Sequence, residues 1–151
     1  MFSARVQEAD FDIKAETATL LHDEAGVGAV VTFTGIVRPL VNGKPLKAMT
    51  LEHYPGMAQQ QLGGLLDKAR EQWPLEAGLI IHRHGRLYPG DNIVLVMTGS
   101  KHRHAAFEAA EFLMDWLKTK APFWKKEELA DQEATWVDER DSDIASTDRW
   151  S

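Results

Sequence analysis

Residues 77–120 read AGLIIHRHGRLYPGDNIVLVMTGSKHRHAAFEAAEFLMDWLKTK, and this stretch decides the fold class. Residues 77–84 and 93–97 are rich in aliphatic and β-branched side chains and predict two strands, separated by a Tyr-Pro-Gly-Asp turn. Ser100 predicts the N-cap of a helix over residues 101–120, which Pro122 ends. Two strands followed directly by a helix indicate an α/β or α+β domain.

The flanking sequence predicts further elements of both kinds. Residues 28–37, GAVVTFTGIV, are typical of a buried strand with a bulge at Gly35. Residues 39–47 contain two prolines and an Asn-Gly pair, which indicates a mobile loop or hairpin tip. The remaining predicted elements are a helix over 11–25, a strand over 48–53, a helix that begins with Pro55 in its first turn and runs to about 72, and a short strand at 136–137.

Composition indicates one globular domain spanning residues 1–151. The chain is 44% hydrophobic and 26% charged, ordinary values for a domain of 151 residues with its own core. The polar segment at 139–151 predicts a loose C-terminal tail. The formal net charge of -6 argues against nucleic-acid binding, because affinity for phosphate backbones needs a basic surface.

Two absences in the sequence narrow its chemistry and its location. The chain contains no cysteine, which excludes disulfides, thiolate metal sites, cysteine nucleophiles and a persulfide carried on this chain. Neither a secretory signal nor an apolar run of about 20 residues is present, so no membrane span is predicted. A cytoplasmic location is the resulting expectation.

Positive charge is concentrated in one part of the sequence, residues 101–126. Residues 101–126 carry six lysines and arginines against three acidic residues, which is typical of an anion site in an acidic protein, although a solvated helix face explains it equally well. On the predicted helix Lys118 lies within about 40° of Phe107 and Met114, at the border of the apolar stripe. Partial burial there would make it a usable base or nucleophile, whereas a lysine with only its stem buried would be inert.

The start of the same helix is a second candidate for anion binding. The free backbone N–H groups after Ser100, together with His102 and Arg103, suit a phosphate group, particularly in company with Arg38, Lys125 and Lys126. The pairs His82/His84 and His102/His104 suggest a metal, but without a third ligand at a recognisable spacing metal binding is not expected. The sequence has no P-loop or dinucleotide fingerprint, so no cofactor is predicted.

Several sequence blocks together resemble the large, catalytic subunit of molybdopterin synthase. The blocks are Gly28–Arg38, LEHYPGM at 51–57, YPGD at 88–91, His102–Arg103 followed by Ala106–Phe107, and LKTKAPFWKKE at 117–127. They agree in order and spacing across residues 28–140, and the second and last blocks are the most specific.

The resemblance implies an α/β hammerhead fold with an additional small antiparallel β subdomain. It implies a homodimer within a heterotetramer, in which each large subunit binds a small ubiquitin-like subunit whose C-terminal Gly-Gly carries a thiocarboxylate. Two sulfur transfers then convert cyclic pyranopterin monophosphate to the dithiolene of molybdopterin. The implied catalytic residues are Lys118 and Lys125, and the implied substrate-binding residues are Arg38, His102, Arg103 and Arg140; the basic stretch adds Lys126.

Two other functions fit parts of the sequence. The chain could be a non-catalytic module that binds a ubiquitin-like tail or a phosphorylated ligand, or, on its histidines alone, a metal-dependent hydrolase. If the chain is catalytic, the geometry of the predicted helix also indicates how its site is assembled. A continuous helix places Arg103 and Lys118 about 22 Å apart, so a site that uses both would be shared between two chains of a dimer.

Overall fold

A computed structural model describes residues 1–120, 122–130, 135–137, 147 and 150. Three helices lie in these residues: α1 (Ile13–Leu21), α2 (Met57–Gln72) and α3 (Arg103–Thr119). The strands are β1 (Phe2–Gln7), β2 (Ala29–Ile36), β3 (Leu40–Val41), β4 (Lys44–His53), β5 (Leu75–Arg83), β6 (Gly85–Leu87), β7 (Asn92–Ser100), β8 (Phe123–Leu129) and β9 (Thr135–Val137). The mixed α/β class predicted from the sequence is confirmed.

The strands form two sheets. The main sheet has the order β1-β5-β7-β2, in which β1 and β5 are parallel and the other pairs are antiparallel. The second sheet has the order β3-β4-β8-β9, with β6 also paired to β4, and is antiparallel throughout. This second sheet corresponds to the predicted small antiparallel β subdomain.

Helices cover both faces of the main sheet. Ile80 of β5 packs with Leu62 of α2 and Leu113 of α3 on one face. Its neighbour Leu79 packs with Leu20 of α1 on the other face, as the alternation of side chains along a strand requires. Because both faces are buried, β5 and β7 show continuous apolar runs, which is the pattern that made them readable in the sequence.

Two local predictions about glycine and turns are confirmed. The register between β2 and β7 shifts between Gly35 and Ile36, and a Cβ at Gly35 would lie 2.7 Å from Val94 Cγ1, so the predicted bulge is a close approach of two strands. Asn42 and Gly43 join β3 to β4 with φ of 50° and 79°. Two positive φ values in a two-residue loop make the predicted hairpin tip.

The predicted helix starts were wrong. Ser100 is the last residue of β7, still paired with Ala29, and its hydroxyl donates a hydrogen bond to the carbonyl of His102, which is the true N-cap. Pro55 does not occupy the first turn of α2, because the helix begins at Met57 after Gly56 turns the chain with φ of 78°. In both places the preceding strand or turn continues further than local propensity suggested.

Four strands, β1, β3, β6 and β8, were not among the predicted strands; β3 is only two residues long and lies within the segment predicted as a loop or hairpin tip. The sequence of β8 contains four consecutive charged residues, KKEE at 125–128, so it lacks the alternation of apolar and polar residues that predicts a strand. Strand β1 pairs with β5 only through a long-range parallel contact, with side chains that are half-buried. Such strands are stabilised by tertiary pairing rather than by their own composition.

The C-terminal residues that can be described are packed against α3. Thr147 is 2% exposed and its hydroxyl donates to the carbonyl of Asp115 at 2.7 Å. The Trp150 ring packs edge-on against Trp73 and Phe112. At these two positions the chain is attached to the domain, unlike the loose tail predicted for 139–151; the rest of that tail lies outside the described residues. In the described part of the chain no helix is long and apolar enough to cross a membrane.

Candidate active site

Helix α3 separates the predicted site residues into two groups. It is continuous from Arg103 to Thr119, so Arg103 and Lys118 lie about 22 Å apart at 1.5 Å per residue. We call the two regions the Arg103 end and the Lys118 end. Since α3 follows β7 directly and runs back along the main sheet, these regions lie at opposite ends of that sheet.

The Lys118 end also contains Arg38 and the end of β5. His82 of β5 pairs with Val94, close to the start of β7. Arg38 is exposed and follows Val37, whose N–H donates to the carbonyl of Asp91 at 2.9 Å, just before β7 begins. Arg38 and His82 are therefore at the same end of the main sheet, and both are far from Arg103.

Four aromatic side chains join the two sheets at the Lys118 end. His82 stacks on Phe123 with 3.8 Å between ring centroids and 13° between planes. His53 is the last residue of β4, and its ring centroid lies 5.9 Å from that of Phe123 and 4.3 Å from that of His84. We call these residues, His53, His82, His84 and Phe123, the aromatic cluster. It fixes the first residue of β8 against the end of β5.

Burial keeps His82 neutral. It is the main cause that lowers the pKa of His82 to about 4; the hydrogen bond to Arg83 opposes the shift, and the charges of Lys118, His53 and His84 add to it. The pKa of His53 is also lowered, by burial and by His84.

Lys125 and Lys126 project from opposite faces of β8. Lys125 shares a face with Phe123, two residues before it, and therefore lies on the side of the aromatic cluster. Its ammonium lies 3.9 Å from a carboxylate oxygen of the buried Glu127. Lys126 has its cross-strand neighbours, Thr50 and Trp136, on the other face. The structure thus brings Lys118 and Lys125 towards one region and turns Lys126 away.

Of the two alternatives that the border position left open for Lys118, partial burial of the ammonium is not observed in the single chain. Lys118 is exposed, and Phe107, one of the two residues that defined its border position, is 60% exposed. The helical face is as predicted, but no part of the described chain covers it at Phe107. A large exposed aromatic side chain on the same face as a candidate catalytic lysine marks a surface that another molecule would cover.

At the Arg103 end the backbone comes unusually close to β2. The N–H of Gly28 donates to the carbonyl of Ser100 at 2.9 Å, and a Cβ at Gly28 would lie 2.4 Å from the carbonyl oxygen of Lys101. Only glycine fits there without displacing the backbone. This contact fixes the turn that presents His102 and Arg103, both exposed, at the start of α3.

Some predicted residues are not part of either group. Arg140 lies outside the described residues. No set of three potential metal ligands is found in the described part of the chain, the three clustered histidines included. Sequence reasoning missed Phe123 and Glu127 as parts of the site. Their signal was the i, i+2 spacing with Lys125, which becomes visible only when residues 123–129 are recognised as a strand.

Known proteins share this architecture. Residues 6–120 match the model of the family described as MoaE protein. A molybdopterin synthase catalytic subunit from Mesorhizobium japonicum is 50% identical over 149 residues, which are 98% of this chain and 92% of that protein.

Solved structures extend the comparison to the fold. The molybdopterin biosynthesis MoaE protein from Burkholderia ambifaria superposes with a TM-score of 0.84 at 45% identity, covering 99% of this chain and 98% of the other. A protein–protein complex of subunits 1 and 2 of molybdopterin-converting factor from Helicobacter pylori contains a chain with the same fold, at 22% identity and a TM-score of 0.69, covering 92% of this chain and 91% of that one.

Proposed function

Because this chain belongs to the MoaE protein family, we propose that it is the catalytic subunit of a molybdopterin synthase. It accepts sulfur from the thiocarboxylated C-terminus of a small ubiquitin-like subunit and transfers two sulfur atoms to cyclic pyranopterin monophosphate. The absence of cysteine supports a mechanism in which the sulfur stays on the carrier until it attacks the pterin. No residue of this chain would form a persulfide.

The observation that carries the proposal is that Lys118, at the end of α3, and Lys125, beside Phe123 on β8, both lie at the end of the main sheet where the aromatic cluster joins the two sheets. When the thiocarboxylate sulfur bonds to the pterin, it forms an acyl thioester with the carrier. Water then attacks the thioester carbonyl carbon, and the resulting oxyanion collapses with cleavage of the carbon–sulfur bond to the carrier, which leaves the sulfur on the pterin and a carboxylate on the carrier. The oxyanion needs cations fixed in advance. The Lys125 ammonium lies 3.9 Å from a carboxylate oxygen of the buried Glu127, and Lys118 lies at the same end of the main sheet, in the last turn of α3. We assign Lys118 as a base or as the cation that holds the thiocarboxylate, and Lys125 as the cation that stabilises the departing carboxylate.

Binding of the pterin phosphate is assigned to arginines. Arg38 lies at the Lys118 end, and its charge would form charge-assisted hydrogen bonds with phosphate. His102 and Arg103 offer the same chemistry at the start of α3, where the helix N-terminus also favours an anion. Lys126 and Arg140 remain proposed contributors: Lys126 faces away from Lys125, and Arg140 is retained from the family resemblance alone.

The distance between the two ends of α3 supports a site shared across a dimer. About 22 Å separates the backbones of Arg103 and Lys118, and one pterin does not span it. We propose that each site takes Lys118 and Lys125 from one chain and His102 and Arg103 from the other, in a homodimer that carries two small subunits. The exposed Phe107 face would be covered in this assembly, and its burial would desolvate Lys118.

Mixed dimers test this arrangement directly. Lys118→Ala chains and Arg103→Ala chains are each expected to be inactive as homodimers. In a mixed dimer with shared sites, one site carries both changes and the other carries neither, so activity returns to about half of the wild-type value per dimer. Mixed dimers that form, as shown by differently tagged chains, but remain inactive would place the site within one chain.

The function itself is tested by reconstitution. Purified chain, thiocarboxylated small subunit and cyclic pyranopterin monophosphate are expected to yield molybdopterin, with the carrier's terminus converted to a carboxylate. Binding of both ligands without conversion would favour the non-catalytic module instead. Turnover that survives exhaustive chelation would exclude the metal-dependent hydrolase. We place the reaction in the cytoplasm, where the sequence expectation puts the chain.

A further inference from the structure

The main sheet has two edge strands, β1 and β2, and they differ in how their outer edges are covered. On β1, the N–H of Val6 donates to the Gln59 side-chain oxygen at 3.2 Å, and the Gln59 amide donates to the carbonyl of Ala4. A side chain of α2 thus occupies this edge as another strand would. In the described part of the chain β2 pairs with β7 alone, so alternate residues of β2 direct their N–H and C=O groups outward.

The sequence of β2, AVVTFTGI, contains no charged residue and no proline, the usual means of protecting a free edge. Phe33, in the middle of the strand, is 38% exposed, and its cross-strand partner Val96 packs in the core with Leu113 of α3. Cross-strand partners share a face, so Phe33 lies on the α3 side of the sheet. The free edge therefore has an exposed aromatic ring on its helical side.

A second exposed ring lies on the same side of α3. Trp116 faces α2, since the Lys68 ammonium lies 5.2 Å from the centroid of its ring. Phe107 precedes Trp116 by nine residues, which is half a turn around the helix at 100° per residue, so Phe107 faces away from α2 and towards the β2 edge. An unpaired strand beside two exposed aromatic rings is typical of a surface that another protein covers.

We propose that β2 pairs antiparallel with β2 of a second copy of this chain, about a two-fold axis perpendicular to the main sheet. The two four-stranded sheets then form one continuous sheet, with both α3 helices side by side on the same face. The inference rests on the proposed function, because it names the surface that assembles the shared site.

The lengths of β2 and α3 support this partner. The eight residues of β2 span about 23 Å at 3.3 Å per residue, close to the 22 Å between Arg103 and Lys118. Strand β2 begins at the Arg103 end, where Ala29 pairs with Ser100, and runs towards Arg38 at the Lys118 end. Antiparallel pairing along β2 therefore places the Lys118 end of one chain beside the Arg103 end of the other.

The lateral spacing also fits. Helix α3 packs on both β2 and β7, so its axis lies about half a strand spacing, or about 2.4 Å, from the line of β2. With one strand spacing of about 4.8 Å between the paired β2 strands, the two α3 axes lie about 10 Å apart, which is an ordinary distance for packed helices. Lys118 then lies about 10 Å from Arg103 of the partner subunit, instead of about 22 Å from its own.

Cysteine cross-linking tests the pairing, because the chain has no cysteine of its own. The proposed axis passes beside Thr32 or Phe33. In the first register Thr32→Cys chains cross-link to one another, and in the second they cross-link to Thr34→Cys chains, since opposed residues lie at disulfide distance. Ser3→Cys, on the covered edge strand β1, is the matched control.

Under mild oxidation without the small subunit, we expect more than about half of the chains in one of these two mixtures to form covalent dimers. Ser3→Cys is expected to form less than about a tenth. Cross-linking no greater than that of Ser3→Cys in both mixtures would overturn the inference. So would a cross-link-competent β2 edge that pairs only with an added small subunit.

A charge pair at the same position links the pairing to activity. Thr32 is exposed, and in either register Thr32→Glu places two like charges within about 5–8 Å of each other. Once thermal denaturation shows that the variant is folded, sedimentation should give a dimer dissociation constant at least about tenfold above that of the wild type, and turnover should fall with the dimer. An equal amount of Thr32→Lys chains should restore both.

The two levels of the argument fail differently. A Thr32→Glu variant that dimerises like the wild type would place the interface elsewhere, even if the protein is active. Wild-type chains that cross-link through β2 but make no molybdopterin with the small subunit and precursor would contradict the proposed function and leave the pairing in place.

Discussion

The buried His82 predicts a specific loss of stability in acid. A histidine in the unfolded chain titrates near 6.5, and burial lowers the pKa in the folded chain to about 4. Above pH 6.5 both states are neutral and the group adds no pH dependence. Between pH 6.5 and 4, His82 binds a proton in the unfolded chain but not in the folded chain. The free energy of unfolding therefore falls by about 1.4 kcal/mol per pH unit, or about 3 kcal/mol in total, and the loss ends below pH 4.

Urea denaturation followed by tryptophan fluorescence measures this loss at fixed protein concentration from pH 7.5 to 4. His82→Phe is expected to be less stable at pH 7, because the carbonyl of Arg83 loses its donor, but to lose about 3 kcal/mol less between pH 6.5 and 4. His22→Gln, at an exposed histidine, is the control and should follow the wild-type curve. Parallel curves for wild type and His82→Phe would refute the reasoning.

Three further predictions concern the two ends of α3. Gly28→Ala should lower stability by more than about 2 kcal/mol, because its Cβ would lie 2.4 Å from the Lys101 carbonyl oxygen. Gly64→Ala is the matched control on α2; its Cβ would meet no neighbouring atom, so the substitution should raise stability by about 1 kcal/mol. Thermal denaturation compares the two variants. Lys118→Ala should abolish turnover while small-subunit binding, measured calorimetrically, stays within about threefold, since an exposed side chain contributes little packing. Arg38→Ala and Arg103→Ala should each weaken pterin binding by about 1.5–3 kcal/mol and spare small-subunit binding; equal losses for both ligands would contradict a phosphate contact.

The sequence predicted those elements whose burial is visible in their own composition. Strands β5 and β7 are covered on both faces by helices, so their apolar runs predicted them directly. The bulge at Gly35 and the Asn42-Gly43 hairpin were predicted correctly because glycine inside a strand usually marks a bulge, and an Asn-Gly pair between strands usually marks a tight turn. The charged strand β8 was not readable, since only its pairing with β4 and β9 reveals which of its residues share a face.

The same difference explains what could be predicted of the site. The helical angle of Lys118 followed from residue spacing, but its exposure did not, because burial depends on what covers the helix. In the sequence His82 was considered only as one of a histidine pair, and its burial was not predicted. Its stacking partner Phe123 is distant in sequence, so only the tertiary structure brings the two rings together.

The single chain contains the cations of the proposed site but not its enclosure. Lys118 and Arg103 are exposed, and Phe107 presents an uncovered ring on the lysine-bearing face of α3. Electrostatic stabilisation of a departing carboxylate is weak in water and much stronger once water is excluded. A second large subunit and the small subunit would each supply part of that exclusion. Catalysis would then begin only when both partners are bound, which would protect the thiocarboxylate from hydrolysis before the pterin arrives.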